Sequence, residues 1–277
     1  MRLHGEPRAT RLFVSHGNGF ASDGYRAFWG RFVPEYEIAV FDMRNHGHNA
    51  PGDPAGHDYA HMVGDVDAVL RAVADEFGAK PSVGLFHSMS AQSALLAAID
   101  HGWRLDALIA FDPPNVPPEG PARAAMLSYL DRLTRWARER REAFADPTEL
   151  AAEYAATRSG QVWADDTRQS MARSVLRPDA GEWRLHCPPA LEASMYEQGA
   201  PLDLWPRRGD FAGPVKLIGA DPSRDHPAPT ALSNRALADA GGFDYAAVPG
   251  TSHLLQLEAP AACAEVVRQF LGGIGLG

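Results

Sequence analysis

The chain has 277 residues, 45% of them apolar and 22% charged, which is the composition of a globular protein and excludes a disordered or fibrous one. No apolar run is long enough to span a bilayer, and a net charge of −9 disfavours nucleic-acid backbones and anionic membranes as general partners. Cys187 and Cys263 lie far apart without metal-type spacing, which argues against a disulfide framework or a zinc site, and the opening residues lack an apolar leader, so a cytoplasmic location is expected.

In chain order, the first strand is expected at residues 11–15, leading into Ser15-His16-Gly17-Asn18-Gly19, and the second at 37–42, leading into Asp42-Met43-Arg44-Asn45-His46-Gly47-His48. Val63, Val66, Val69, Leu70, Val73 and Phe77 then recur at helical spacing, and Gly78 stops that helix. A third strand at 82–87 turns at Ser88 into a helix whose small residues, Ala91 to Ala98, allow close approach to a sheet. Further strands are expected at 107–112, 215–219 and 243–248, and a last helix begins at Pro260 and packs through Val266, Val267, Phe270 and Leu271. Short buried strands alternating with helices predict an α/β fold with a mostly parallel sheet.

The alternation breaks between residues 113 and 213, where helical patterns follow one another with no strand between them. Met126, Leu130, Leu133, Trp136 and Ala137 mark one helical face, and proline-rich joints bound the segment. The pattern predicts a core of residues 1–112 and 214–277 with a helical cap at 113–213. On the first cap helix, Arg132, Arg135, Arg138, Arg140 and Arg141 are interleaved with Asp131, Glu139 and Glu142, the pattern of a solvated, salt-bridged face. His46, His48, His57 and His61 lie near one another but lack the carboxylate that a hydrolytic metal site would place among them, so no metal is expected.

A serine hydroxyl needs a nearby base and a sterically open position to act as a nucleophile, and a sharp strand-to-helix turn supplies the position. Ser88 occupies such a turn, in Phe86-His87-Ser88-Met89-Ser90, although serine there is also a favoured helix cap. Ser90 is suitably small two residues on, whereas Phe86 is large where the tight G-x-S-x-G turn has a small residue.

Four ordered segments, the Ser15–Gly19 loop, the Asp42–His48 turn, the Ser88 elbow and Gly250-Thr251-Ser252-His253, make the chain resemble lid-bearing, esterase- or lipase-like members of the α/β-hydrolase superfamily. The resemblance implies that Ser88 is the nucleophile, that His253 is the general base, and that the backbone amides of Asn18 and Met89 form the oxyanion hole. It leaves the acid open. The usual family position, after the penultimate strand, falls on Ser223, flanked by Asp221 and Asp225. A minority of the superfamily places the acid after the strand that follows the nucleophile helix, where Asp112 stands. We favour Asp112 over Asp221.

The resemblance thus implies a cofactor-free serine hydrolase that cleaves a carboxylic ester through an acyl-Ser88 intermediate. Lactone, thioester, amide and carbon-carbon hydrolysis are the alternatives on the same residues. Serine at the elbow argues against dehalogenase or epoxide hydrolase chemistry. A ligand-binding protein without turnover is the alternative of another class. The tryptophan-bearing cap suggests a small hydrophobic or aromatic substrate; the oligomeric state is left open.

Overall fold

The computed structural model describes residues 1–277. The chain begins with strands β1 (Arg2–His4) and β2 (Arg11–Ser15), helix α1 (Arg26–Trp29), β3 (Glu37–Val40), α2 (Tyr59–Phe77), β4 (Ser82–His87), α3 (Met89–Asp100) and β5 (Ala107–Phe111). It closes with β9 (Val215–Gly219), α8 (Pro229–Gly241), β10 (Asp244–Ala247), α9 (Leu255–Glu258) and α10 (Pro260–Gly273). Between β5 and β9 lie α4 (Gly120–Glu139), β6 (Ala143–Phe144), α5 (Pro147–Ala156), α6 (Asp165–Val175), β7 (Leu176–Asp179), β8 (Glu182–Leu185) and α7 (Pro189–Gly199).

Seven strands form one sheet in the order β1-β3-β2-β4-β5-β9-β10. Only β1 runs antiparallel, against β3; every other pair is parallel. Parallel strands joined by crossover helices are covered on both faces, which is why β2, β3 and β5 are buried throughout. Alternate side chains divide between two cores: Leu12, Val14, Leu85 and Ile109 face α1 and α10, while Phe13, Phe86, Leu108 and Ala110 face α2, α3 and α8. No helix is long and apolar enough to cross a membrane.

The 113–213 segment is mostly helical but holds a three-stranded antiparallel sheet, β6-β8-β7, that the sequence pattern does not reveal. These strands are only two to four residues long. The β7–β8 hairpin turns through Ala180 (φ 49°) and Gly181 (φ 92°), two successive positive-φ residues that suit the twist of a two-residue hairpin. Runs this short are below the length at which periodicity separates strand from helix. β1 escapes for the same reason.

Candidate active site

The carboxyl ends of β2, β4 and β5 and the loops after β9 and β10 meet on one side of the sheet, the position at which open α/β sheets place ligands. Ser88 sits between β4 and α3 with φ 53° and ψ −117°, a conformation that costs energy for any residue with a side chain. Its amide donates to the Phe111 carbonyl at 2.9 Å, which ties the turn to the end of β5. The hydroxyl makes no helix-capping bond. It lies instead 3.0 Å from His253 Nε2.

On the far side of the imidazole, His253 Nδ1 is 2.7 Å from Asp112 Oδ2. An ionised carboxylate only accepts, so the imidazole proton is on Nδ1 and Nε2 is free to accept from Ser88. Asp112 itself is fully buried and takes three further bonds: from the Ala220 amide at 3.1 Å, Asn234 Nδ2 at 3.0 Å and Thr230 Oγ1 at 2.5 Å. Those donors hold the charge that water would otherwise solvate.

Asp221 is engaged elsewhere. Its carboxylate accepts from Ser223 and from the Gly250 amide, at 2.7 Å for the latter, and so clamps the loop after β9 to the loop that carries His253. The Ser223 hydroxyl and these amides lower its pKa. No hydrogen bond links Asp221 or Asp225 to His253. Ser252, immediately before His253, donates through its amide to Glu258 Oε2 at 2.6 Å and through its hydroxyl to the same carboxylate.

The Asn18 loop lies against the elbow: a side chain at Gly17 would meet Ser88 Cβ at 3.2 Å. Neither a backbone nor a side-chain acceptor takes the Asn18 amide. Met89 opens α3, where an amide has no intrahelical acceptor. The Asn18 side chain donates to the Glu192 carbonyl of α7 at 2.8 Å, and the Glu192 carboxylate packs on Gly19. Glu192 is in turn paired with Arg140 at 2.5 Å; burial pushes its carboxyl above the ordinary value despite that guanidinium. Arg140 therefore turns inward, unlike Arg135, Arg138 and Arg141, which pair near the surface.

Several side chains brace these loops in roles that the sequence reading does not assign. Ser90 Oγ donates to the His87 carbonyl at 3.0 Å and accepts from the His87 amide at 3.1 Å, bracing the elbow. His87 is fully buried; its Nε2 donates to the His253 carbonyl at 2.9 Å, and its Nδ1 accepts from Tyr25 at 2.9 Å. Burial, with the nearby His253, holds it neutral by lowering its pKa to about 3. The Tyr25 hydroxyl accepts from the Gly17 amide at 3.3 Å, which joins the Asn18 and His253 loops through one chain of bonds. His46 contributes too, with Nε2 accepting from the Gly19 amide at 3.1 Å.

The other histidines of that turn are occupied. His48 pairs with Asp23 and His57 stacks on His46, while Arg44 makes a two-pronged pair with Asp65. No three His, Cys, Asp or Glu side chains are grouped as a metal would require.

Phe86 does not wall the site. Its ring turns down the α2–α3 face of the sheet, fully buried, in edge contact with Phe41. Gly84, two residues earlier on the same face, makes the room: a Cβ there would lie 2.6 Å from the Phe86 ring. A cleft of about 790 Å3 runs along the loop after β3 and touches none of Ser88, His253 or Asp112. A second, of about 500 Å3, is lined by His253 itself.

The α/β-hydrolase family model matches residues 12–266. No curated protein sequence matches the chain. Among solved structures, the chain is similar to E-2-(acetamidomethylene)succinate hydrolase, with 20% identity and a TM-score of 0.78 over 98% of this chain and 94% of that one. The thioesterase domain from the curacin biosynthetic pathway shares 18% identity, with a TM-score of 0.69 over 96% and 93%. A thermophilic esterase from Thermogutta terrifontis shares 17%, with a TM-score of 0.66 over 99% and 92%. At these identities the likeness is one of fold.

Proposed function

The chain belongs to the α/β-hydrolase family, and from that premise we propose that it is a serine hydrolase acting on carboxylic esters. The observation that carries this reading is the unbroken run of hydrogen bonds from Ser88 through His253 to Asp112.

Ser88 Oγ attacks the acyl carbon while His253 Nε2 takes its proton. Asp112 orients the imidazole and stabilises the imidazolium without itself being protonated. The amides of Asn18 and Met89 hold the negative charge that develops on the carbonyl oxygen. His253 then returns the proton to the departing alcohol, and water, activated by the same imidazole, cleaves the acyl-Ser88 ester. Every role is filled by protein groups, so the reaction as written draws on no cofactor.

Residues 113–213 act as a cap on a core of 1–112 and 214–277. The support is the contact of α7 with the Asn18 loop, which itself lies against the Ser88 turn. The thioesterase and esterase folds among its neighbours are consistent with acyl-transfer chemistry.

The test is covalent labelling with a fluorophosphonate, followed by turnover of p-nitrophenyl esters of increasing chain length and of lactones. Labelling that disappears in Ser88→Ala is expected. Folded protein that neither labels nor turns over would instead be a binding protein on the hydrolase fold.

A further inference from the structure

The 500 Å3 cavity beside His253 opens between α4, the turn after α5, and the loops that follow β9 and β10. Arg132, Arg158 and Arg224 line it together with His226. On α4 and just beyond it, Arg135, Arg138, Arg140 and Arg141 each pair with a carboxylate, but Arg132 meets none: it donates to Ser128 Oγ at 2.7 Å and lies over the Tyr129 ring. Arg224 donates to the Gly250 carbonyl at 2.9 Å, which fixes its place in the wall, and the Arg158 guanidinium has no partner in the fold. The single carboxylate of the lining, Glu258, is taken up by Ser252.

Three arginines that form no ion pair therefore line one concave space in a chain whose net charge is −9, with Asp221, outside the lining, the nearby carboxylate that feels the Arg224 charge. Converging like charges repel one another, and an anion relieves that repulsion while forming charge-assisted, two-pronged hydrogen bonds. A cleft lined by one sign of charge also concentrates ligands of the other sign.

The cavity's position says which part of a substrate it meets. In acyl transfer the imidazole delivers its proton to the leaving group, which must lie against it. Of the proposed reacting residues His253 alone lines the cavity, so a group seated there belongs to the part of the substrate that extends past the imidazole. Resting on the hydrolase reading above, we infer that this pocket binds an anionic group, a carboxylate or a phosphate, on the leaving-group part of the substrate. None of the tryptophans of 113–213, on which a hydrophobic substrate was expected, lines it: Trp163 is buried in the core and Trp136 faces solvent.

The test compares esters that share an acetyl group: 4-acetoxybenzoate, 4-acetoxyphenyl phosphate and the neutral methyl 4-acetoxybenzoate. The better anionic ester should exceed the neutral one in kcat/KM by roughly 10-fold or more at low ionic strength, and identifies which anion the pocket prefers. The ratio should fall toward one at about 0.5 M salt and in Arg132→Gln/Arg158→Gln/Arg224→Gln, with the thermal midpoint retained. A ratio at or below one in the natural protein, or an unchanged ratio in the triple variant, overturns the inference even if all three esters are hydrolysed. Should none be turned over, calorimetric titration with 4-hydroxybenzoate, 4-hydroxyphenyl phosphate and methyl 4-hydroxybenzoate decides it. Anion binding lost in the triple variant supports the pocket, and no binding refutes it. Failure of the hydrolase reading is seen separately, as absent fluorophosphonate labelling of Ser88.

Discussion

Asp112, at the end of β5, lies 2.7 Å from His253 Nδ1, although 141 residues separate the two in the chain. Asp221, one of the two aspartates that flank the usual family position for the acid, holds the Gly250 amide instead. The two carboxylates therefore have different work, one facing the imidazole and the other fastening the loop that presents it.

Replacing Asp112 by Asn is expected to lower kcat by about 10^4, because the amide no longer holds the imidazole in the tautomer that accepts from serine. Asp221→Asn keeps an acceptor for Gly250 and should cost less than about 10-fold. Steady-state kinetics on an activated ester decide between them; a collapse in Asp221→Asn alone would sink the assignment of Asp112.

The packing of Phe86 over Gly84 yields a stability prediction. Phe86→Ala should destabilise the protein by about 3–5 kcal/mol by leaving a cavity in the core. Gly84→Ala should cost about 1–3 kcal/mol by overpacking the same spot. Urea unfolding measures both, and a neutral Gly84→Ala would mean that the ring has another place to go.

Arg140 and Glu192 form an ion pair with side-chain exposures of 9% and 2%. Removing one partner strands the other: Arg140→Met should destabilise by about 3–5 kcal/mol, whereas Arg140→Met/Glu192→Leu should recover most of that loss. The comparison is made by chemical denaturation, and a double variant no more stable than the single one contradicts the pairing.

His87 and His57 give the fold a dependence on acid. Burial lowers them from 6.5 to about 3 and about 4, so between those values and 6.5 the unfolded chain binds protons that the folded chain does not. Their contribution is complete above pH 6.5 and is lost as pH falls toward the folded values. His87 alone should account for about 2 kcal/mol between pH 6.5 and pH 5. Urea midpoints at the two pH values test this, with His87→Gln expected to flatten the slope.

The turn at Ser88, the Asn18 loop, six strands of the main sheet and the loop carrying His253 were all legible in the sequence, because each depends on local chemistry: short apolar runs, glycine where the chain turns, and a serine between strand and helix. The choice between Asp112 and Asp221 was not local. It depended on which strand end comes to lie under an imidazole brought from far along the chain, and only the parallel pairing of β5 with β9 decided that. The same holds for His87, Tyr25 and Asn234, ordinary residues until the fold sets them against the loops they brace. It holds for the arginines as well. By spacing, Arg132 and Arg140 belong to one charged helix face, yet one lines the cavity beside His253 and the other is buried against Glu192. Periodicity sets the face of a helix on which a side chain stands; the neighbour that face meets is set by tertiary packing.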